Sequence, residues 1–209
     1  GIVVLGGSPD HIVVTNLAAS IVAGSNDNTV VVKIEDFNNN LSDLYSGQIT
    51  FSAVNDAAAT FSPGNYQYTS GYTGANNGYK SFSQLVIFKT AGTNRGVRAM
   101  HTSSTQGNLI QNSTYGEQTG VVVVPAVLDN FYVSVPTAPV TVGSATDVSV
   151  AARDLYGNIK TNWVGLLTFE AGEYSVSYNP GDTYNFTSGY SQADNGTKHF
   201  FGRVTLQSA

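Results

Sequence analysis

The 209 residues are enough for one large domain or two of ordinary size, and only 11% of them are charged, so the polar surface must come from Ser, Thr, Asn, Gln and Gly. The net charge of −5 argues against a nucleic-acid surface of clustered Lys and Arg, and the lack of cysteine excludes disulfides and thiolate metal sites. The longest apolar run, VVVVPAVL at 121–128, is too short to span a bilayer, so no membrane insertion is expected.

The first segment, GIVVL, matches GVVVV at 120–124 at an offset of 119. GVVVV reads as the last strand of a domain, so residues 1–7 are expected to be a terminal strand and linker that belong to a preceding repeat. An apolar strand without its own domain can add to the sheet edge of another molecule. The residues expected to make this contact with another copy are Gly1, Ile2, Val3, Val4 and Leu5.

The next segments read as strands. TVVVKIED, which starts at Thr29, alternates with a period of two and places Val30, Val32 and Ile34 on one face. GQITFSA, at 47–53, does the same and turns its Ile and Phe inward. Short strands with turn residues between them and no helical period predict an antiparallel β-sandwich.

The turn EDFNNNLSD, at 35–43, has two interpretations. Asp36, Asn38, Asn40 and Asp43 offer oxygen ligands of the kind that calcium prefers. Alternatively, the aspartate accepts hydrogen bonds from the backbone of its own turn. The second interpretation is favoured because a related turn, RDLYGNIKTN at 153–162, lacks the additional carboxylates. Calcium is the only cofactor hypothesis that the sequence raises.

Tyrosines gather near a glycine-rich loop. Tyr66 and Tyr68 are alternate residues of a predicted strand and are expected to pack against the sheet. Tyr72, Tyr79 and, in the second half of the chain, Tyr190 lie in or beside the loop and are candidate contacts for a ligand such as a glycan.

The strand SFSQLVIFKTAG, at 81–92, carries an unusual number of apolar residues. Simple alternation places Val86 and Phe88 inward and leaves Leu85 and Ile87 outward, where a later strand has Arg203 and Thr205 instead. Two extra outward apolar residues predict a covered surface, so Leu85 and Ile87 are expected to contact another copy or a neighbouring domain.

The second half of the chain repeats the first. At an offset of 118, residues 66–82 match 184–200 at ten of seventeen positions. The chain is therefore divided into a first repeat at 8–125 and a second at 126–209. Because Ala209 aligns with Ala91, the second repeat lacks counterparts of the last two predicted strands, and its sandwich is expected to be incomplete at its C-terminal end.

These motifs together resemble the immunoglobulin-like repeats of large bacterial and archaeal cell-surface proteins. In that family a D-x-x-G-N turn is followed by Y-x-G-x-x-T-F and then by Y-x-F-T. The matching residues are Asp154, Gly157, Asn158, Gly165, Thr168, Phe169, Tyr184, Phe186 and Thr187. The first repeat has Asn39 where the family usually has Gly, which a left-handed backbone tolerates. The resemblance implies tandem immunoglobulin-like antiparallel β-sandwiches that serve in surface layers, surface filaments or adhesin stalks.

No catalytic motif is apparent. The three histidines share no metal-ligand spacing, and Glu170 and Glu173 are two carboxylates in a loop of the kind that usually only faces solvent. We therefore expect a non-enzymatic, extracellular, cell-surface protein that assembles with other copies or with neighbouring repeats. Exchange of a strand between copies is one way in which it could assemble. The alternatives are a carbohydrate-binding or adhesive module, or an accessory domain of a larger secreted hydrolase. Four N-x-S/T triplets are candidate glycosylation sites, at Asn40, Asn112, Asn185 and Asn195.

Overall fold

A computed structural model describes residues 6–104, 110, 114–170, 172 and 175–207. The described residues form strands, turns and bends with no helix, which confirms the prediction of an all-β protein. This part of the chain accordingly holds no helix that could cross a membrane. The predicted contact segment Gly1–Leu5, the sequon residue Asn112 and the acidic residue Glu173 lie outside the described residues. The chain divides into two compact units, Gly1–Val124 (unit 1) and Pro125–Ala209 (unit 2).

The described residues of unit 1 form ten strands. They are β1 (His11–Thr15), β2 (Ser20–Val22), β3 (Thr29–Glu35), β4 (Gly47–Val54), β5 (Thr60–Phe61), β6 (Asn65–Gln67), β7 (Tyr79–Ser83), β8 (Val86–Ile87), β9 (Gly92–Ser104) and β10 (Tyr115–Val124). A three-stranded sheet has the order β1-β3-β7, a five-stranded sheet the order β2-β10-β9-β4-β6, and β5 pairs with β8. The core lies on the faces that alternation predicted: Val30, Val32, Ile34 and Ile49 have no exposed surface and Phe51 is buried.

One pairing in unit 1 is parallel. β10 joins β2 with Val122 opposite Ser20, Val123 opposite Ile21 and Val124 opposite Val22, whereas the neighbouring pair β9–β10 is antiparallel. The backbone N–H of Val122 donates to the carbonyl of Ala19 at 2.9 Å, and that of Ala23 donates to the carbonyl of Val124 at 2.8 Å. A strand near the start of unit 1 is thus bonded to the strand that ends it.

In the described part of unit 2 there are six strands. They are β11 (Asn130–Ser134), β12 (Ala145–Arg153), β13 (Gly165–Thr168), β14 (Val176–Tyr178), β15 (Thr183–Phe186) and β16 (Thr197–Leu206). One sheet has the order β11-β12-β16-β14, and β13 pairs with β15. Val148, Val150, Leu167, Phe186 and Phe200 form the buried cluster of this unit.

Aromatic side chains form the same series of ring contacts in each unit. Their ring centroids lie 4.9–5.6 Å apart, a separation at which such pairs add about 0.5–1.5 kcal/mol each beyond the area they bury. In unit 1 the series is Tyr45, Tyr68, Tyr66, Phe82 and Phe51, and in unit 2 it is Trp163, Phe186, Tyr184, Phe200 and Phe169. Each residue of the second series follows its counterpart by 118 positions.

The expectation that Leu85 faces outward is wrong. Leu85 has no exposed surface and Ile87 is half-buried, while Val86 and Phe88 are buried as expected. The alternation is interrupted at Gln84, a turn residue with a φ of +57° that separates β7 from β8, and both Leu85 and Val86 after this turn are buried. Leu85 therefore offers no surface to a partner.

The matching strand of unit 2 shows the same break. Gly202, 118 residues after Gln84, has a φ of +54°, and the register of β12 against β16 shifts between Thr146 and Val148. Arg203 consequently points into the unit and is buried, contrary to the expectation that it is exposed. Its guanidinium donates to the carbonyls of Asn179 at 3.2 Å and Thr183 at 2.9 Å.

Candidate functional sites

The turn with the predicted calcium ligands is organised around one buried carboxylate. Asp36 accepts hydrogen bonds from the backbone N–H groups of Gly7 at 2.8 Å and of Asn38 and Asn40 at 2.9 Å. The side-chain amide of Asn40 also donates to both carboxylate oxygens. These bonds, led by those from Gly7 and Asn40, lower the pKa of Asp36 to about 2 although burial acts in the opposite direction.

Unit 2 repeats this arrangement at Asp154. The carboxylate accepts the N–H groups of Ala126 at 2.9 Å, Tyr156 at 2.9 Å and Asn158 at 2.8 Å, and the amide of Asn158 donates to it as well. Burial alone would raise the pKa of Asp154, but these hydrogen bonds outweigh it and lower the pKa. In each unit the aspartate joins the segment before the first strand to a later turn, which follows β3 in unit 1 and β12 in unit 2.

This geometry gives calcium little to bind. A cation at Asp36 would have to displace N–H donors from both carboxylate oxygens, and Asn40 turns its amide nitrogen, not its oxygen, toward the aspartate. Asn38 is exposed, and Asp43 is half-buried with an unpartnered Oδ1. No group of three or more His, Cys, Asp or Glu with metal-binding spacing occurs among the described residues.

The tyrosine-bearing loops are accessible. Tyr72 and Tyr190, at matching positions of the two units, are both 59% exposed, and Tyr79 on β7 is also exposed. Tyr68, by contrast, is fully buried and donates its hydroxyl to the carbonyl of Val32 at 3.0 Å. Burial raises the pKa of the Tyr68 phenol well above its ordinary value, so this hydroxyl stays protonated.

An Asn-Gly pair fixes the end of each loop. Asn77 and Gly78, like Asn195 and Gly196, have positive φ angles between +47° and +82°. A Cβ added at Gly78 would lie 2.6 Å from the carbonyl oxygen of Ser42, so this position requires glycine. The repeated phrase in the sequence thus encodes loop geometry and leaves the tips, with Tyr72 and Tyr190, free for contact.

The described sequon residues are all on the surface. Asn40, Asn185 and Asn195 are exposed. The Nδ2 atom of Asn40 donates to Asp36, and that of Asn195 donates to the carbonyl of Ala193 at 3.3 Å. Attachment of a glycan at Asn40 would therefore disturb the turn, whereas Asn185 has no such hydrogen bond among those described.

A Ser-His-Asp chain on unit 2 was not anticipated. The hydroxyl of Ser149 lies 2.7 Å from Nδ1 of His199, whose Nε2 lies 3.4 Å from a carboxylate oxygen of Asp147. Ser149 and His199 are 50 residues apart and meet as a direct cross-strand pair of β12 and β16. Sequence spacing alone carries no signal of such a pair, because the register of the two strands decides it.

The surroundings of this chain do not suit acyl transfer. Ser149 is paired with Ser134 of β11 on one side and with His199 of β16 on the other, so its backbone is engaged in the sheet and does not form an oxyanion hole. His199 and Asp147 are nearly half exposed, and Ser149 borders an open depression of about 370 Å³. Ser149, His199 and Asp147 are therefore best described as a hydrogen-bonded network on the surface of unit 2. The other two histidines lie elsewhere, His11 beside Asp10 and His101 beside Tyr45.

Comparison of the chain with protein-family models and with curated proteins found no match. Function must therefore be argued from the geometry of the two units.

Proposed function

We propose that the chain is a non-enzymatic structural protein of the cell surface, built from tandem immunoglobulin-like β-sandwich repeats that assemble with other copies. The recurrence of whole interaction networks at fixed offsets supports the repeat. Asp36 and Asp154 accept equivalent backbone donors, and the two aromatic series occupy positions 118 residues apart. A repeat array joined end to end suits a stalk, filament or surface layer.

The parallel pairing of β2 with β10 carries this proposal. β2 is reached from the N-terminal side of unit 1, and β10 leads out of it at Val124. When tension is applied to the two ends of the unit, parallel strands slide past each other. The hydrogen bonds between them are then loaded together in shear instead of opening one at a time. This arrangement gives mechanical resistance, which is the property that a surface stalk or lattice needs.

The test is to stretch single molecules and compare two substitutions at Val122. Val122→Pro removes the N–H that donates to Ala19, whereas Val122→Ala keeps it. Because β9 lies on the other side of β10, the remaining ladder is retained. Unit 1 has 124 residues and unit 2 has 85, so their unfolding steps differ in released length, about 400 Å against about 300 Å.

We expect the proline variant to lower the unfolding force of the longer step well below that of wild type, and the alanine variant to lower it much less. Equal unfolding forces for wild type and both variants would contradict the mechanical role.

A second candidate function is contact with glycans or other surfaces. It is favoured by Tyr72 and Tyr190, which present equally exposed rings at matching loops. A glycan array probed with the protein, with Tyr72→Ala and Tyr190→Ala as comparisons, separates the two functions. A specific signal that both substitutions reduce would support adhesion, and Tyr→Phe should retain part of it.

A further inference from the structure

Each unit stacks an arginine on a tyrosine ring, but the two guanidinium groups differ in their hydrogen bonds. In unit 1 the guanidinium carbon of Arg98 lies 4.3 Å from the centre of the Tyr115 ring, and the Arg98 Nε and Nη2 atoms donate to a carboxylate oxygen of Glu117 at 2.9 and 2.8 Å. In unit 2 the guanidinium carbon of Arg153 lies 4.0 Å from the centre of the Tyr132 ring. The Arg153 Nε is buried without a hydrogen-bond partner, and no carboxylate among the described residues forms an ion pair with this guanidinium. The fold therefore positions the charge of Arg153 without balancing it.

The position that Arg153 takes in the repeat is acidic in unit 1. Its counterpart, 118 residues earlier, is Glu35, whose carboxylate lies 3.5 Å from Nε2 of His11 and 3.8 Å from Nζ of Lys33. Unit 1 thus balances the charge at this point with its own side chains. The unbalanced cation belongs to unit 2, so it is not a requirement of the repeat.

Arg153 borders the open depression of about 370 Å³ on the outer face of the main sheet of unit 2. Ser149, Ala151 and Arg153 are alternate residues of β12 and share this face, opposite to the buried Val148 and Val150. β12 is paired with β11 on one side and with β16 on the other, so paired strands form the floor of the depression. Its volume lies near the lower end of the roughly 300–1,000 Å³ of small-ligand sites.

The chemical groups change along this face. Arg153 and Ser149 are four residues apart, which places their Cα atoms roughly 13 Å apart along the strand. Tyr132 is paired with Ala151, halfway between them, and is 50% exposed. Beyond it, the Ser149 hydroxyl and Nδ1 of His199 lie 2.7 Å apart. A ligand on this face would meet a cation, an aromatic ring and a hydroxyl–imidazole pair in that order.

We propose that this face of unit 2 binds an acidic saccharide, a sugar that carries a carboxylate. The carboxylate accepts hydrogen bonds from the Arg153 guanidinium and is the partner that the described residues do not supply. The sugar ring packs against the exposed ring of Tyr132, and sugar hydroxyl groups bond to Ser149 and His199. An acidic peptide would satisfy the guanidinium but brings no row of hydroxyl groups to the far end of the face, so a saccharide fits more of the site.

This inference goes beyond the proposed structural function, which needs no ligand. It involves neither the strand pairing at Val122 nor the exposed loop residues Tyr72 and Tyr190. A failure of the test below would therefore leave the stretching result unaffected, and a failure of the stretching test would leave this binding site intact.

The experiment titrates the isotope-labelled 209-residue protein with two disaccharides and follows its backbone amide signals by NMR. Cellobiouronic acid carries one carboxylate, and cellobiose is its neutral counterpart. Arg153→Gln removes the cation. Arg98→Gln is the matched control, because Arg98 also stacks on a tyrosine but is already paired with Glu117. The emission of Trp163, the only tryptophan of the chain, verifies that unit 2 of each variant is folded.

Wild type and Arg98→Gln should bind cellobiouronic acid with a dissociation constant below about 1 mM, and the shifted signals should centre on Ser149, Ala151 and Arg153. Cellobiose should bind to wild type at least about tenfold more weakly. Arg153→Gln should weaken the binding of cellobiouronic acid by at least about tenfold, because a hydrogen bond to a charged group changes an equilibrium constant by that factor. Ser149→Ala, which removes one hydroxyl contact, should weaken binding by about threefold to tenfold.

Equal affinity for the two disaccharides would overturn the proposal, and so would undiminished binding by Arg153→Gln or shifts confined to other parts of the chain. If Arg153→Gln does not fold, the wild-type shifts and Ser149→Ala decide by the same criteria. A short blocked peptide with one glutamate tests the other source of a carboxylate. If this peptide shifts the signal of Arg153 and cellobiouronic acid does not, the site accepts acidic peptides and the saccharide proposal is wrong.

Discussion

At the scale of single residues, one matching position of the two units keeps its hydrogen-bonding role although its charge differs. The residue is a neutral asparagine in unit 1 and an aspartate in unit 2. Asn76 in unit 1 accepts the N–H of Thr69 at 3.2 Å and the hydroxyl of Tyr66. Asp194, 118 residues later, accepts the N–H of Thr187 at 2.9 Å and the hydroxyl of Tyr184. The loop thus needs an oxygen acceptor at this point, and either an amide or a carboxylate supplies it.

We expect Asp194→Asn to make unit 2 less sensitive to acid. Burial alone would raise the pKa of Asp194, but hydrogen bonds from Thr187, Lys198 and Tyr184 lower it below 3.8. Because the folded pKa is the lower one, the ionised carboxylate stabilises the fold above about pH 4 and loses this effect as the pH falls through the folded pKa. In urea titrations the variant should lose about 1 kcal/mol of unfolding free energy at pH 7, and progressively less as the pH falls through the folded pKa of Asp194.

The reverse substitution, Asn76→Asp, is the matched control in unit 1. It should introduce acid sensitivity there, because Lys80 lies over the Tyr66 ring as Lys198 lies over Tyr184. Identical pH dependence in wild type and Asp194→Asn would show that Asp194 does not have the assigned role.

Calcium provides a second test at this scale. Since Asp36 accepts three backbone N–H groups, we expect neither calcium nor EDTA to change the thermal unfolding midpoint of unit 1, measured by circular dichroism. A rise in the midpoint with calcium that disappears in Asp43→Asn would restore the calcium site suggested by the sequence.

At the scale of strands, side-chain alternation predicted correctly which faces are buried in regular strands, but not beside an irregular turn. Alternation correctly placed Val30, Val32 and Ile34 in the core because β3 is regular throughout. It failed at Leu85, which follows the positive-φ turn residue Gln84 and is buried although alternation places it outward, whereas Val86 and Phe88 are buried as predicted. Glutamine is not a residue that signals such a conformation, so only the glycine at 202 in the other unit hinted at it.

Arg203, which follows the positive-φ residue Gly202, is buried and must have its volume filled and its guanidinium hydrogen-bonded. Leu85 fills the matching position in unit 1 with no exposed surface. Arg203→Ala should cost about 3 kcal/mol of unfolding free energy, because it leaves a cavity between Phe169 and Phe200 and removes the donors of two carbonyl groups. Arg203→Leu should cost about 1–2 kcal/mol, since leucine refills the volume but not the hydrogen bonds.

Urea unfolding followed by Trp163 emission measures both Arg203 variants. Phe201→Ala is a control on the same strand, where the side chain is 81% exposed and little change is expected. A leucine variant as unstable as the alanine variant would mean that the guanidinium, not the filled volume, stabilises this position.

At the scale of the whole molecule, the sequence could predict the all-β class of the fold, but not the contacts that close each unit. The parallel pairing of β2 with β10 joins residues about a hundred positions apart, and no local pattern encodes it. The surface network of Ser149 and His199 could not be predicted from the sequence for the same reason. The hydrogen bonds of Asp154 to its own turn, by contrast, could be predicted because they are local in the sequence.

Unit 2 should be less stable than unit 1, because it leaves apolar side chains exposed whose counterparts in unit 1 are buried. Val133, Val140 and Val142 remain partly in water, and each apolar side chain left exposed forgoes up to about 1.5–3 kcal/mol of burial. Trp163 packs against Phe131 and Phe186 inside unit 2, so tryptophan emission reports on this unit alone, whereas circular dichroism reports on both. At low protein concentration, where copies do not associate, the emission midpoint in urea should come clearly before the main dichroism transition. Two coincident midpoints would show that the exposed valines do not lower the stability of unit 2 relative to unit 1.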